Sequence, residues 1–212
     1  MLFWSLVQLI ACSKTNDTTI FHLKDAIGGS RNAAMGHPPS IAFNYKDLIM
    51  KITLTDAEQL IVNYVAQCRL EANQLNGSHK KPSASGMTAL EIDQQGFGGE
   101  MAFCRAMNVF PDFTVTCRSA ARGQDNGDCT VQGLTIDVKT SKKATGSLWV
   151  KEHKKGCADA YALVVGTFPT FTIIGLANHD MVFDDSGRVG DSFVVNQMDL
   201  ITPEIFFSAL YV

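Results

Sequence analysis

The chain has 212 residues, of which 46% are hydrophobic and 18% charged, so it carries enough apolar surface for one globular domain with a buried core. Its net charge is −3, which excludes bulk positive charge as the force that would bring it to a nucleic acid. The sequence has no apolar run of about 18 residues or more, so a membrane-spanning helix is not expected.

The cysteines show no C-x-x-C spacing; they stand at positions 12, 68, 104, 117, 129 and 157. This scatter argues against a zinc site and against a disulfide framework. It predicts thiols that act as small core residues in a reducing compartment, and therefore a cytoplasmic protein.

The first 49 residues differ from the rest. "MLFWSLVQLIACSK" has an apolar stretch of roughly signal-peptide length, and Leu9–Cys12 resembles a bacterial lipobox, yet no Lys or Arg precedes it. One hypothesis is that Met50 is the natural start and that residues 1–49 are an extension outside the working domain, residues 50–212. The alternative is a lipoprotein-like N-terminus that anchors the chain to an envelope.

Two helices are predicted in the first half of the working domain. Thr55 and Glu58 form a capping box, after which apolar residues recur at helical spacing before Gly77 ends the helix; they are Ile61, Val65, Cys68, Ala72 and Leu75. A second helix is predicted to begin near Gly96, where three glycines permit close approach to another element.

Glu100 falls inside the apolar arc of this second helix, together with Phe97, Met101 and Cys104. An ionised carboxylate on a packing face is costly unless it is paired or bound to a metal ion. Arg105 lies at the far edge of the arc, so the helix itself does not neutralise Glu100. The alternative is a first-turn glutamate stabilised by the helix N-terminus and still in contact with solvent.

A β-hairpin is predicted around Gln132-Gly133. Residues 134–139 alternate apolar and polar side chains, and a two-residue connection would place Asp128 opposite Asp137. Like charges at that separation, about 5 Å between Cβ atoms, destabilise the pairing, and a divalent cation between the carboxylates would compensate. The alternative is a solvated hairpin face whose two acids tolerate each other in water.

Four further elements complete the predicted order. Residues 112–120 read as a strand, residues 159–168 and 170–177 read as two buried strands around Pro169, and Thr202-Pro203 begins a short terminal helix. Helices followed by a meander, two strands and a helix predict an α/β (α+β) fold with a central mixed β-sheet flanked by helices.

A helix Glu, two strand acids and a lysine two positions after the second acid form an ordered set, carried by Glu100, Asp128 and Asp137-Val138-Lys139. This set resembles the PD-(D/E)XK nuclease superfamily, in particular small phage-type or restriction-like nucleases. Gly127 stands where that motif has a proline. The resemblance implies a restriction-endonuclease-like core and a metal-dependent deoxyribonuclease that hydrolyses phosphodiester bonds with Mg²⁺, for which Mn²⁺ can substitute.

In that function the three acids and the Val138 carbonyl would bind the ion, and Lys139 would activate or orient the attacking water. Six lysines lie between positions 139 and 155. Those expected to contact DNA phosphates are Lys142, Lys143, Lys151 and Lys154. Trp149, within the same window, is expected in the core.

Relatives of such nucleases act as homodimers or within larger nucleic-acid-processing complexes, so the resemblance implies such partners as well as DNA. The alternative function is a catalytically inactive DNA-binding or assembly module of the same fold.

Overall fold

The computed structural model describes residues 50–75, 86–115 and 127–209, all in the compact unit Leu48–Val212. The extension predicted for residues 1–49 lies outside the described residues. So does part of the strand predicted for residues 112–120, and its described part, residues 112–115, is not in a strand. Among the described residues, no helix combines the length and apolar character needed to cross a membrane.

The first helix, α1, spans Asp56–Leu75 and begins at the predicted capping box. The Thr55 amide donates to Glu58 Oε2 at 2.7 Å, and the Glu58 amide donates to Thr55 Oγ1 at 3.4 Å. The buried face of α1 is formed by Val62, Val65 and Ala66, whereas Ile61 and Leu75 of the predicted stripe are exposed.

The second helix, α2, spans Ala89–Ala106 and therefore begins seven residues before the predicted position near Gly96. Its start is a second capping box, in which the Thr88 amide and the Glu91 carboxylate bond each other at 2.7 Å. Glu100 thus lies in the body of the helix. The alternative of a first-turn glutamate stabilised by the helix N-terminus is wrong for this reason.

In the parts of the chain that the structure describes, eight strands form two sheets. They are β1 (Met50–Thr53), β2 (Cys129–Val131), β3 (Leu134–Ser141), β4 (Leu148–Lys151), β5 (Ala160–Thr167), β6 (Thr170–Asn178), β7 (Arg188–Val189) and β8 (Ser192–Val195). The larger sheet has the order β1-β6-β5-β3-β2, and the smaller has the order β4-β8-β7. Because β3 and β5 are parallel while the other neighbours in the larger sheet are antiparallel, the predicted mixed sheet is confirmed.

The larger sheet separates two apolar clusters. On one side, Ile136 and Val138 of β3 pack in the cluster that contains Phe97 of α2. On the other side, Tyr161 of β5 packs with Phe193 of the smaller sheet. The alternation of side chains along each strand produces this division.

Two short helices follow β6, α3 (His179–Val182) and α4 (Pro203–Ser208). The terminal helix has Thr202 at its N-cap and Pro203 at its first position, as predicted. Trp149 does not lie in the core: it is 53% exposed, because β4 turns alternate residues to the outside of the smaller sheet.

Helix α2 lies directly against β3 and β6 through two glycines. A Cβ on Gly98 would lie 2.9 Å from the Phe171 ring, and a Cβ on Gly99 would overlap the Thr140 hydroxyl. The predicted close approach of this glycine-rich segment is confirmed, although it occurs within the helix and not at its start. The contact sets the distance between Glu100 and the strand that carries Asp137.

Candidate active site

Strand β3 brings Asp137 and Lys139 together on the face opposite Ile136 and Val138. Lys139 Nζ lies 2.6 Å from Asp137 Oδ1, and the Asp137 side chain is only 6% exposed. Its second oxygen, Oδ2, is buried and makes no hydrogen bond within the described parts of the chain. A buried carboxylate oxygen without a donor is costly, and contact with a cation or a ligand would reduce that cost.

The hairpin has the predicted register for three pairs: Val131 with Leu134, Thr130 with Thr135, and Cys129 with Ile136. The predicted fourth pair, Asp128 opposite Asp137, is not part of the ladder. The chain turns at Gly127, whose φ is +73°, and the Asp128 amide donates to the Ile136 carbonyl at 2.7 Å. Regular pairing therefore ends one residue before the two acids would have stood side by side.

Asp128 instead binds the backbone of β3. Its Oδ2 accepts a hydrogen bond of 2.7 Å from the Val138 amide, at the edge of β3 where β2 has ended. Backbone groups alternate between the two edges of a strand, so the Val138 carbonyl faces the same edge as the Val138 amide. Asp128 and the Val138 carbonyl, both predicted to bind the metal ion, are thus brought to one edge of the sheet.

Glu100 is paired with a residue that sequence reasoning missed, Arg69 of α1. Arg69 Nη1 lies 3.4 Å from Glu100 Oε1 and 3.3 Å from Oε2, and the two side chains are 15% and 11% exposed. The expectation that α2 does not neutralise Glu100 is confirmed, since Arg105 pairs with Glu58 at 2.9 Å. A signal for Arg69 existed: it follows Val65 and Ala66 by four and three residues, on the buried face of α1.

Two titratable groups near the acids have raised pKa values. The pKa of the Cys104 thiol is raised, first by a hydrogen bond with Cys129 and then by burial, with further contributions from the charges of nearby groups. Among those charges are Glu100 and Asp128.

The pKa of Tyr161 is raised, first by burial and then by the charge of Asp137, its neighbour in the parallel ladder. The Tyr161 hydroxyl donates to the Lys154 carbonyl at 2.8 Å. Asp137 therefore has an aromatic ring and the Lys139 amine as neighbours.

The residues fit a metal ion held by few protein ligands. No group of three or more His, Cys, Asp or Glu side chains in the described ranges is arranged to hold a metal ion. Mg²⁺, however, is commonly bound by one or two carboxylates together with waters and substrate phosphate oxygens. The buried Oδ2 of Asp137, which lacks a hydrogen-bond donor, and the nearby Asp128 fit an ion of that kind.

The predicted DNA-binding lysines fall into two groups. Lys142 and Lys143 are exposed in the loop after β3. The pKa of Glu91 is lowered mainly by hydrogen bonds from the Thr88 backbone and hydroxyl, and the positive charge of Lys142 adds a smaller lowering effect. The second group lies at the end of β4, where Lys151 pairs with Asp191 at 2.7 Å and Lys154 is partly buried.

Two comparisons with known proteins returned nothing: no curated protein and no solved structure matches the chain. The comparison with protein families did return a match. Residues 48–191, more than half of the chain, match a family of unknown function, DUF5843. This span contains α1, α2, the hairpin and every residue of the candidate site. The chain therefore belongs to the DUF5843 family.

Proposed function

We propose that the protein is a magnesium-dependent deoxyribonuclease that hydrolyses DNA phosphodiester bonds at the edge of β3. The proposal rests mainly on the contacts of the two carboxylate oxygens of Asp137. One carboxylate oxygen is fixed by Lys139 at 2.6 Å, and the other is buried without a hydrogen-bond donor in the described residues. Burying a carboxylate oxygen without a donor is costly, and a bound cation would compensate that cost.

Asp128, Asp137 and the Val138 carbonyl would hold the ion. When bound, Mg²⁺ supplies charge for the phosphoryl oxygens and lowers the pKa of a coordinated water. Lys139 shares the face of Asp137, and its amine would orient the attacking water and offset negative charge that develops on the phosphate. Asp128 keeps its carboxylate in place through the Val138 amide, so its position does not depend on the ion.

The exposed lysines would position the DNA backbone. Lys142 and Lys143 are exposed and follow β3 directly, so they are the best placed of the four predicted residues to contact phosphates along the strand that carries the acids. Lys151 would have to exchange its contact with Asp191 for a phosphate, and Lys154 has less exposed surface. We place the enzyme in the cytoplasm, where the cysteines at positions 68, 104, 129 and 157 remain free thiols.

The test is cleavage of plasmid, linear duplex and single-stranded DNA by the full chain with Mg²⁺, with Mn²⁺ and with EDTA. Cleavage should require the metal ion and should be lost in Asp137→Asn and in Lys139→Met. Lys51→Met, on the opposite edge strand β1, removes an exposed lysine from the same sheet and should cut normally. Cleavage that survives Lys139→Met or chelation would refute the proposed site.

One observation favours the alternative of a catalytically inactive DNA-binding or assembly module. Glu100 is paired with Arg69, Asp128 with the Val138 amide, and Asp137 with Lys139, so each acid is already in contact with a donor. Salt-sensitive DNA binding without cleavage of any substrate would support this module. Light scattering of the protein with and without DNA would show whether it acts as a homodimer or in a larger assembly.

A further inference from the structure

Arg69 is fixed by more than its ion pair. Its Nε donates to the Thr114 carbonyl at 3.3 Å, its Nη2 donates to the Asp112 carbonyl at 3.1 Å, and its guanidinium lies 4.6 Å from the centre of the Phe97 ring. Glu100 therefore contacts a cation that is held in place by two backbone carbonyls and an aromatic face. The planar guanidinium is thus held by contacts that do not involve Glu100.

The same guanidinium is connected to Asp128 through the backbone. The Asp112 carbonyl accepts from Arg69, and the Asp112 amide donates to the Asp128 carbonyl at 2.7 Å. Asp128 in turn accepts from the Val138 amide. A continuous series of hydrogen bonds thus leads from α1 through residues 112–114 to the edge of β3.

These contacts indicate different roles for Glu100 and for the two strand acids. Glu100 faces a resident positive charge at 3.3 Å with both side chains largely buried, so a divalent cation beside Glu100 would be repelled by the guanidinium at short range. Asp137 has a cationic neighbour on one oxygen and no donor on the other within the described ranges. The oxygen that needs a cation belongs to Asp137 and not to Glu100.

We propose that Arg69 is a positioning residue that serves as the permanent counter-ion of Glu100 and anchors the segment that holds Asp128. The divalent cation is then bound by Asp128 and Asp137, without Glu100 as a ligand. This inference rests on the proposed function for the metal ion, while the anchoring of Asp128 by Arg69 can be measured without any metal.

The first measurement is Mn²⁺ binding to the full chain by titration calorimetry or by the loss of the free-ion EPR signal. Glu100→Gln keeps an oxygen for Arg69 and should change the dissociation constant by no more than about twofold. Asp137→Asn should weaken binding at least about tenfold, since even the loss of a residue that only orients a ligand costs about 10–100-fold. Equal losses in the two variants would overturn the assignment of Glu100 to Arg69.

The second measurement is amide hydrogen exchange in metal-free protein. Arg69→Met should accelerate exchange at Asp112 and Val138 at least tenfold, since both amides bond Asp128. Arg105→Met is the matched control, because Arg105 also bonds a glutamate and a backbone carbonyl, those of Glu58 and Thr53, and it should leave these two amides unchanged.

A third variant guards against loss of folding. Lys in place of Arg69 retains the charge near Glu100 but lacks the planar fork that reaches the Asp112 carbonyl, so Arg69→Lys should still accelerate exchange at Asp112. Unchanged exchange in both Arg69 variants would overturn the anchoring role. If the wild-type protein binds no Mn²⁺ and cuts no DNA, the proposed function fails, and the exchange data still decide whether Arg69 positions Asp128.

Discussion

Replacing Gly99 by alanine will strain the contact between α2 and β3, although alanine is the better helix former. The added Cβ would overlap Thr140 Oγ1 and would lie 3.0 Å from both Thr140 Cβ and Cγ2. Forcing a methyl group into packed structure costs about 1–3 kcal/mol. The gain in helix propensity from Gly to Ala is about 1 kcal/mol, so the variant should range from unchanged to about 2 kcal/mol less stable.

The same helix supplies the control. A Cβ on Gly96 meets no atom within 4 Å, so Gly96→Ala receives the propensity gain of about 1 kcal/mol without the clash. The difference between the two variants isolates the packing cost, and it should be about 1–3 kcal/mol in urea denaturation followed by circular dichroism.

Thr140→Ala should relieve the strain. The Thr140 hydroxyl is buried and makes no hydrogen bond in the described structure, so its loss alone costs little. Removal of Oγ1 and Cγ2 takes away the closest contacts, and the double variant Gly99→Ala/Thr140→Ala should recover most of the lost stability. Gly99→Ala as stable as Gly96→Ala would refute the close packing of α2 on β3 and, with it, the placement of Glu100.

Two further predictions concern the surface. Replacing Lys142 and Lys143 by alanine should weaken DNA binding equally for unrelated sequences and reduce the salt-dependence slope by about one per lysine in fluorescence anisotropy titrations, and an unchanged slope would exclude both as phosphate contacts. Thr88→Ala should raise the pKa of Glu91, which the Thr88 backbone and hydroxyl now lower, toward its ordinary value of 4.5. The stabilisation from this lowered pKa is complete above 4.5 and is lost as the pH falls through the folded-state value. The stability gap between wild type and Thr88→Ala should therefore narrow at acid pH to the part that comes from the bond between the Thr88 hydroxyl and the Glu91 amide, and a gap independent of pH would contradict it.

The hairpin could be predicted because its determinants are local. Alternation over residues 134–139 fixes which side chains share a face, and Gln132-Gly133 fixes the register, with positive φ at both residues. The pairing of Asp128 with Asp137 failed at the one point where the pattern ends. Gly127 has positive φ and close contact with the Ile136 carbonyl, and neither property follows from alternation.

The start of α2 was missed although its signal is present in the sequence. Thr88 and Glu91 have the spacing of a capping box, the same signature that correctly placed the start of α1. The predicted start lay at the glycines of positions 96, 98 and 99, and each glycine weakens a helix interior by about 1 kcal/mol. In the fold, Gly98 and Gly99 are needed inside the helix for contact with Phe171 and Thr140.

The partner of Glu100 could not be obtained from helical spacing. Arg69 is 31 residues away and reaches Glu100 only because α1 and α2 pack together. An acid on a packing face of a helix indicates that a positive partner is required, but the sequence does not show whether that partner is a side chain or a metal ion. Only the packing of α1 against α2 distinguishes these two partners, and here the partner is the arginine Arg69.

The two strand acids, Asp128 and Asp137, differ in how much their carboxylates contribute to the stability of the fold. Asp128 satisfies the Val138 amide where β2 ends, so its carboxylate has a structural task, and losing a hydrogen bond to a charged group costs about 1.5–3 kcal/mol. Asp137 Oδ2 satisfies nothing in the described structure, and its burial costs about 1–3 kcal/mol. The ion pair between Lys139 and Asp137 Oδ1 has to offset that cost. A cation bound at Oδ2 would remove it, and this is the physical reason to look for chemistry at Asp137.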